Sequence, residues 1–247
     1  MTMSSSFDGK RIWIIGASSG IGAALAHELA GQGARLVLSA RDEDALRKLA
    51  EECGGAEVLP LDLAEPDTLD AAVAQLGQSL DAMVCTAALY DPARVVDLDR
   101  EKTAKLVQVN VTGTLLVAQS APKVLRDGGQ LVLFGSVAGY VGLPKGQAYS
   151  ATKAAIINLA ETLKVELAPA IDVRLVCPGF VRTRLTDKND FNMPAMIEPE
   201  EAARDIAKGM AGRGFEIHFP KRLTYVLKLL RVLPYPLALR LTERLAG

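Results

Sequence analysis

The sequence predicts an α/β fold, a doubly wound parallel sheet forming a single domain, with a helical extension at its C-terminus. Three observations carry that expectation. Short β-rich runs alternate with helical windows along residues 11–219, the order that parallel strands joined by crossover helices require. The runs are mostly apolar and do not alternate, as strands covered on both faces must be. With 247 residues, 49% of them hydrophobic, the chain can fill one continuous core.

Each element has a local reason. The run at 11–15 leads through a glycine-containing loop into a helical window at 20–32, closed by Gly33. A second run at 35–39 precedes a helical window at 43–53. A third, 57–61, precedes a window at 66–76, opened by Pro66 where a missing N–H costs nothing. Runs at 82–85, 130–134 and 172–176 supply the next strands, separated by helical windows at 101–126 and 149–167. A seventh run lies at 215–219. Beyond it, 223–233 reads as an amphipathic helix with Leu223, Val226, Leu227 and Leu230 on one stripe and Lys228 and Arg231 off it. Pro234-Tyr235-Pro236 breaks that helix, which resumes to residue 245.

Composition narrows the functional classes. A balance of 28 Lys+Arg against 29 Asp+Glu, net −1, argues against a nucleic-acid partner. Two histidines, His27 and His218, leave little material for a metal centre, and none is expected. Three cysteines without close pairing do not make a disulfide framework, which points to a reducing, cytoplasmic setting. Residues 1–8 are Ser-rich and lack the basic and apolar stretches of a secretory leader, and no run is apolar enough to span a bilayer. The charge is nevertheless uneven. Residues 221–247 hold Lys221, Arg222, Lys228, Arg231, Arg240 and Arg244 against Glu243 alone, so the tail is +5 and the remainder −6.

The chemistry is written in the loops. Gly16-Ala17-Ser18-Ser19-Gly20-Ile21-Gly22 joins the first strand to the first helix, where glycines admit a pyrophosphate to backbone N–H groups and the helix N-terminus favours the anion. Enzymes that select NAD place a carboxylate at the end of the second strand to hold the ribose 2′-OH. Here the second strand ends in Leu38-Ser39-Ala40-Arg41, without a carboxylate before Asp42, and the Arg41 guanidinium suits a 2′-phosphate. Tyr149 and Lys153 stand one helical turn apart, so an ammonium can lower the phenol pKa and make Tyr149 a general acid or base. Ser136 follows an apolar strand and Gly135, placing a hydroxyl at a strand's carboxyl end. Asn110, in Val109-Asn110-Val111-Thr112-Gly113, sits within a helical window whose residues disfavour helix, a violation expected at functional sites.

Together these motifs, spread over residues 10–183, resemble those of the short-chain dehydrogenase/reductase family in its short single-domain branch. The resemblance implies a Rossmann-type dinucleotide-binding and catalytic domain over residues 1–220, with 221–247 as a basic, apolar extension of it. It implies that Ser136, Tyr149 and Lys153 act with Asn110, the asparagine of a helix kink that holds a water on the proton path. It also places Asp62 at the adenine, Ala87 beside the cofactor, and Pro178, Gly179, Val181 and Thr183 at the nicotinamide carboxamide. The sequence departs from the family in Cys85-Thr86-Ala87-Ala88, where an Asn-Ala-Gly run is usual, and Thr86 is expected to replace a hydrogen bond there.

The expected function is NADP(H)-dependent hydride transfer to or from an apolar carbonyl or alcohol substrate. Tyr140, Phe180 and the apolar loop residues Leu185, Phe191, Met193, Pro194, Met196 and Ile197 are expected around that substrate. Two alternatives stand beside it: a 3-oxoacyl-carrier-protein reductase, for which Arg182 and Arg184 are available, and a non-catalytic, membrane-associated NADP sensor. A homodimer is expected. For the tail, three readings stay open: a cover for the core or the dimer partner, a wall over the substrate site, and in-plane peripheral contact with an anionic membrane.

Overall fold

Strand β1 (Arg11–Ile15) shows how the layers form. Successive side chains of a strand point to opposite faces, so Trp13 and Ile15 enter one core and Ile12 and Ile14 the other. The structure is a computed structural model describing residues 6–142, 146–189 and 193–246. After β1 come α1 (Gly20–Gly31), β2 (Arg35–Ser39), α2 (Glu43–Glu52), β3 (Glu57–Val58), α3 (Pro66–Leu76) and β4 (Leu80–Cys85). Then follow α4 (Arg100–Val107), a π-helical turn (Gln108–Gly113), α5 (Thr114–Val124) and β5 (Leu125–Phe134). The chain ends with α6 (Gln147–Glu166), β6 (Ile171–Pro178), α7 (Pro199–Ala211), β7 (Glu216–Phe219), α8 (Lys221–Val232) and α9 (Tyr235–Ala246).

The seven strands form one sheet in the order β3-β2-β1-β4-β5-β6-β7, every neighbouring pair parallel. The strand order reverses between β1 and β4, which opens a crevice at their carboxyl ends, the place where such sheets bind ligands. One core, containing Trp13, Met83 and Leu131, includes residues of α3, α5 and α6, and Leu227 and Leu230 of α8 join it. The other, containing Ile12, Val84 and Val132, includes residues of α1, α2 and α7.

Four differences from the sequence expectation have physical causes. The third strand is short, although the Leu59 and Leu61 amides still donate to Leu38 O and Ala40 O at 2.9 and 3.1 Å; between them Pro60 has no N–H to give. The helix expected over 101–126 is divided by the π turn, and its last residues already belong to β5, with Leu125 paired to Leu80. Helix α7 is additional to the expected elements: Pro199, Glu200 and Glu201 open it, and Ala202, Ala203, Ile206, Ala207 and Met210 form its buried stripe. In α8 the buried residues are Thr224, Leu227 and Leu230, whereas Val226 is 51% exposed. Lys228 turns inward to an ion pair with Glu216, which also accepts the Tyr140 hydroxyl.

Candidate active site

The glycine loop is set by close approach. Gly16 has φ +94°, and a Cβ there would lie 2.5 Å from Ala87 N. At Gly22 it would lie 2.2 Å from Gly16 O. Thr86 stitches this region together, its hydroxyl 3.0 and 3.1 Å from the Ile15 and Gly16 carbonyls and its amide donating to Ile15 O at 2.8 Å. The expected substitute hydrogen bond is therefore present. Gly20, at φ +56°, meets Thr183, which brings the loop after β6 onto the start of α1. Ser19 is the N-cap of α1 but makes no side-chain cap hydrogen bond, and the first turn contains no acid. These features fit a dinucleotide phosphate: Ser18, Ser19, Gly20 and Ile21 border a helix start whose orphan amides suit an anion.

Arg41 lies just beyond β2, exposed, and among the described residues it has no hydrogen-bond or ion-pair partner. The acids following it are engaged elsewhere. Asp42 caps α2 by accepting from Ala45 N at 3.0 Å, and Glu43 pairs with Arg47. Asp62 accepts from Ala64 N at 2.9 Å, fixing the turn after the third strand.

Ser136, at the end of β5, has extended backbone (φ −173°, ψ 157°) and accepts from Ala138 N at 3.1 Å. Tyr149 in α6 lines the same cavity as Ser136. Lys153, one turn along, is 4% exposed; its Nζ donates to Phe134 O at 2.8 Å and lies 5.6 Å from the Tyr149 ring centroid. Burial pushes the Tyr149 phenol up to about 12, against the lowering influence of the nearby Ser136 hydroxyl. Burial also draws Lys153 down to about 8, against the raising influence of Cys85 and Cys177. The net shift of the phenol is therefore upward: desolvation dominates, and the Lys153 ammonium is directed to the Phe134 carbonyl.

Asn110 lies in the π turn, 1% exposed. Gly113 closes that turn against Leu63, where a Cβ would stand 2.8 Å from the Leu63 Cβ. The Asn110 amide accepts from Leu89 N at 2.7 Å and donates to Leu89 O at 2.9 Å and Thr152 Oγ1 at 3.2 Å. Thr152 in turn donates to Tyr149 O at 2.7 Å. Both amide protons are taken, so the side chain joins the β4 loop to α6 through protein partners.

A cavity of about 90 Å³ opens on Ser136 and Tyr149, bordered by Tyr90, Val137, Phe180 and Leu185. Tyr90 packs edge-on against Tyr149 with centroids 4.8 Å apart, and its hydroxyl donates to Asn189 Oδ1 at 2.6 Å. Lys188 Nζ reaches Tyr90 O at 2.7 Å. Sequence reasoning missed this Tyr90–Asn189 latch; the available signal was an aromatic residue just past the carboxyl end of the fourth strand, at the reversal of strand order. Tyr140 is not part of the cavity lining, since its hydroxyl is directed to Glu216. Ile197 is buried beside Val181 through an isolated bridge, and Arg182 is paired with Glu198 at 2.8 Å. Phe191 lies outside the described residues.

The loop after β6 completes the crevice. Pro178 ends the strand opposite Phe219, and Gly179 N donates to Phe219 O at 2.7 Å. Gly179 is also contacted by α8, with Leu223 Cδ2 2.9 Å from where a Cβ would be. Thr183 N donates to Thr186 Oγ1 at 2.9 Å. Ser136, Tyr149, Gly179 and Phe180 therefore border one cavity, with Lys153 buried one turn along from Tyr149 and Thr183 against Gly20 at the start of α1.

The model of the short chain dehydrogenase family matches residues 10–193. An uncharacterized oxidoreductase of Myxococcus xanthus (strain DK1622) is 36% identical over 236 residues, covering 91% of this chain and 92% of that protein. Among solved structures, a short-chain dehydrogenase from Sphingobium yanoikuyae in complex with NADPH shares 30% identity at a TM-score of 0.77, covering 90% of this chain and 92% of that one. A short-chain dehydrogenase/reductase from Burkholderia phymatum in complex with NAD shares 25% identity at a TM-score of 0.79, covering 91% and 93%.

Proposed function

Because the chain belongs to the short-chain dehydrogenase/reductase family of oxidoreductases, we propose that it reduces a compact apolar ketone or aldehyde with NADPH. The observation that carries this is the small cavity on which Ser136 and Tyr149 open together beside buried Lys153, bordered by Val137, Phe180 and Leu185. When bound, the nicotinamide supplies the hydride. Gly16, Ser18, Ser19, Gly20, Ile21 and Gly22 hold the phosphates, Arg41 the 2′-phosphate, and Asp62 and Ala87 flank the adenosine side. Pro178, Gly179, Val181 and Thr183 orient the carboxamide.

Ser136 and Tyr149 hold the substrate oxygen between two hydroxyl groups, and Tyr149 gives that oxygen its proton. Lys153, protonated at neutral pH with a pKa of about 8, stabilises the phenolate left behind. Asn110 is a positioning residue, holding Leu89 and Thr152 so that α6 presents Tyr149 correctly. Homodimerisation falls to the face of α4, the π turn and α6, where Val107 is 43% exposed and a cleft of about 430 Å³ is bordered by Val107, Val111 and Ala151. The three cysteines are free thiols, which suits a reducing compartment such as the cytoplasm.

NADPH oxidation followed across ketones, aldehydes and acyl thioesters tests the reading. Ketones or aldehydes are expected to turn over faster than thioesters, with NADPH preferred over NADH, and Arg41→Ala to lose about 1–2 kcal/mol of that preference. Equal use of both cofactors by the wild type would remove the role given to Arg41. Preference for acyl thioesters would move the substrate to the acyl-carrier class.

A further inference from the structure

Reduction at the crevice leaves the outer surface of the C-terminal helices unexplained. Among the described residues, thirteen large hydrophobic side chains are exposed, and eight of them lie on α8 and α9. On α8, Tyr225, Val226, Leu229 and Val232 follow at spacings of one, three and three, a continuous outward stripe opposite buried Leu227 and Thr224. At the corner into α9, Val232 is 75% and Tyr235 81% exposed. The inward faces are already satisfied: Leu227 and Leu230 lie in the core, Lys228 pairs with Glu216, and Ala238 and Thr242 are buried. Tyr225 also rests edge-on against His218, with centroids 5.3 Å apart, while Val226, Leu229, Val232 and Tyr235 stay exposed.

Charge indicates what it meets. Arg222, Arg231 and Arg240 are exposed along the same two helices, and among the described residues none of them has an acidic partner. Residues 221–247 total +5 in a chain whose total is −1, so the rest of the molecule is negative and a negatively charged surface attracts the tail end first. No helix among the described residues is long and apolar enough to cross a membrane. An outward apolar stripe with interfacial tyrosines and flanking arginines is instead the pattern of a helix lying in the plane of an anionic bilayer, with arginines at the phosphates and Leu, Val and Tyr at the acyl boundary.

We propose that α8 and α9 form a docking surface for anionic phospholipid bilayers, seated through Leu229, Val232 and Tyr235 and steered by Arg222, Arg231 and Arg240. The proposal goes beyond the reductase reading and does not depend on the substrate.

Full-length protein is sedimented with vesicles of pure phosphatidylcholine and with vesicles of phosphatidylcholine and phosphatidylglycerol, at low and at raised salt. Binding to the anionic vesicles is expected to exceed binding to the neutral ones by tenfold or more, roughly a factor of five for each arginine engaged, and to weaken with salt. The variant Leu229→Glu/Val232→Glu/Tyr235→Glu should lose binding to both vesicle types, and Arg222→Glu/Arg231→Glu/Arg240→Glu should lose the preference for anionic lipid. All these positions are exposed, so circular dichroism and turnover of a water-soluble carbonyl should match the wild type. Wild type that stays in the supernatant with both vesicle types overturns the proposal. So does sedimentation equilibrium showing that the triple glutamate variant converts an assembled wild type to smaller species, which would assign the stripe to a second copy of the chain.

Discussion

Burial moves the two ends of the proposed proton path in opposite directions, the Tyr149 phenol up to about 12 and the Lys153 ammonium down to about 8. Near neutrality both groups therefore hold their protons, and the resting pair is a proton donor, which is the state carbonyl reduction needs. Reduction should stay level through neutral pH and fall as pH rises past about 8, whereas alcohol oxidation, which needs a proton acceptor, should gain with pH. Tyr149→Phe should lower kcat by about 10²–10⁴-fold with NADPH affinity largely kept. Steady-state pH profiles in both directions, with cofactor binding by fluorescence, check this; a reductive rate that climbs with pH would sink it. Ser136, Tyr149 and Lys153 were legible in the sequence because Tyr149 and Lys153 share a helix turn and Ser136 ends an apolar strand, both local patterns. Tyr90 and Asn189 were not, since they meet across 99 residues of separation, and no local pattern encodes which loops close over a crevice.

Most elements were legible from apolar runs bounded by turn signals. All seven strands are found where apolar runs stand, but α7 escaped although Pro199 and two acids open it, and the π turn was visible only as a helix with the wrong residues at 109–113. The stripe of α8 was misassigned because helical spacing alone places Val226 beside Leu227. What separates them is Lys228, drawn inward to Glu216, which rotates the buried face toward Thr224. That rotation has an energetic signature. Leu227, 5% exposed among core residues, should cost about 2–5 kcal/mol on Leu227→Ala through lost burial and a cavity. Val226→Ala, at a position 51% exposed, should stay within about 0.5 kcal/mol. Urea unfolding of the two variants measures both, and similar losses at the two positions would restore the stripe expected from the sequence.

Across the whole molecule, the net charge of −1 describes neither the catalytic body nor the tail, and the join between them depends on pH. Helix α8 is held to β7 by the 2.6 Å contact of His218 with Thr224 and by the ion pair of Lys228 with Glu216. Burial, then the charges of Lys228 and Lys221, draw His218 down from 6.5 to about 4. Between those values the unfolded chain binds a proton that the fold refuses, so stability rises with pH there and is lost as pH falls from 6.5 towards 4. Glu216 acts in the next stage. Burial raises its pKa, but the hydrogen bonds from Lys228 and Tyr140 outweigh that and leave it below 4.5, so its contribution is present above that value and disappears as pH falls through the depressed one. Asp172, partly buried but held down by Arg174 and Lys164, weakens in the same acid range, away from α8. Both ties of α8 therefore weaken on acidification, the histidine first. The melting temperature should decline as pH falls from 6.5 to 4, with α8 amides losing hydrogen-exchange protection before those of β1 and β5. His218→Gln should flatten the first stage and leave the second. A melting temperature that is level across that window, or α8 protection that outlasts the central strands, would show that His218 does not govern the join.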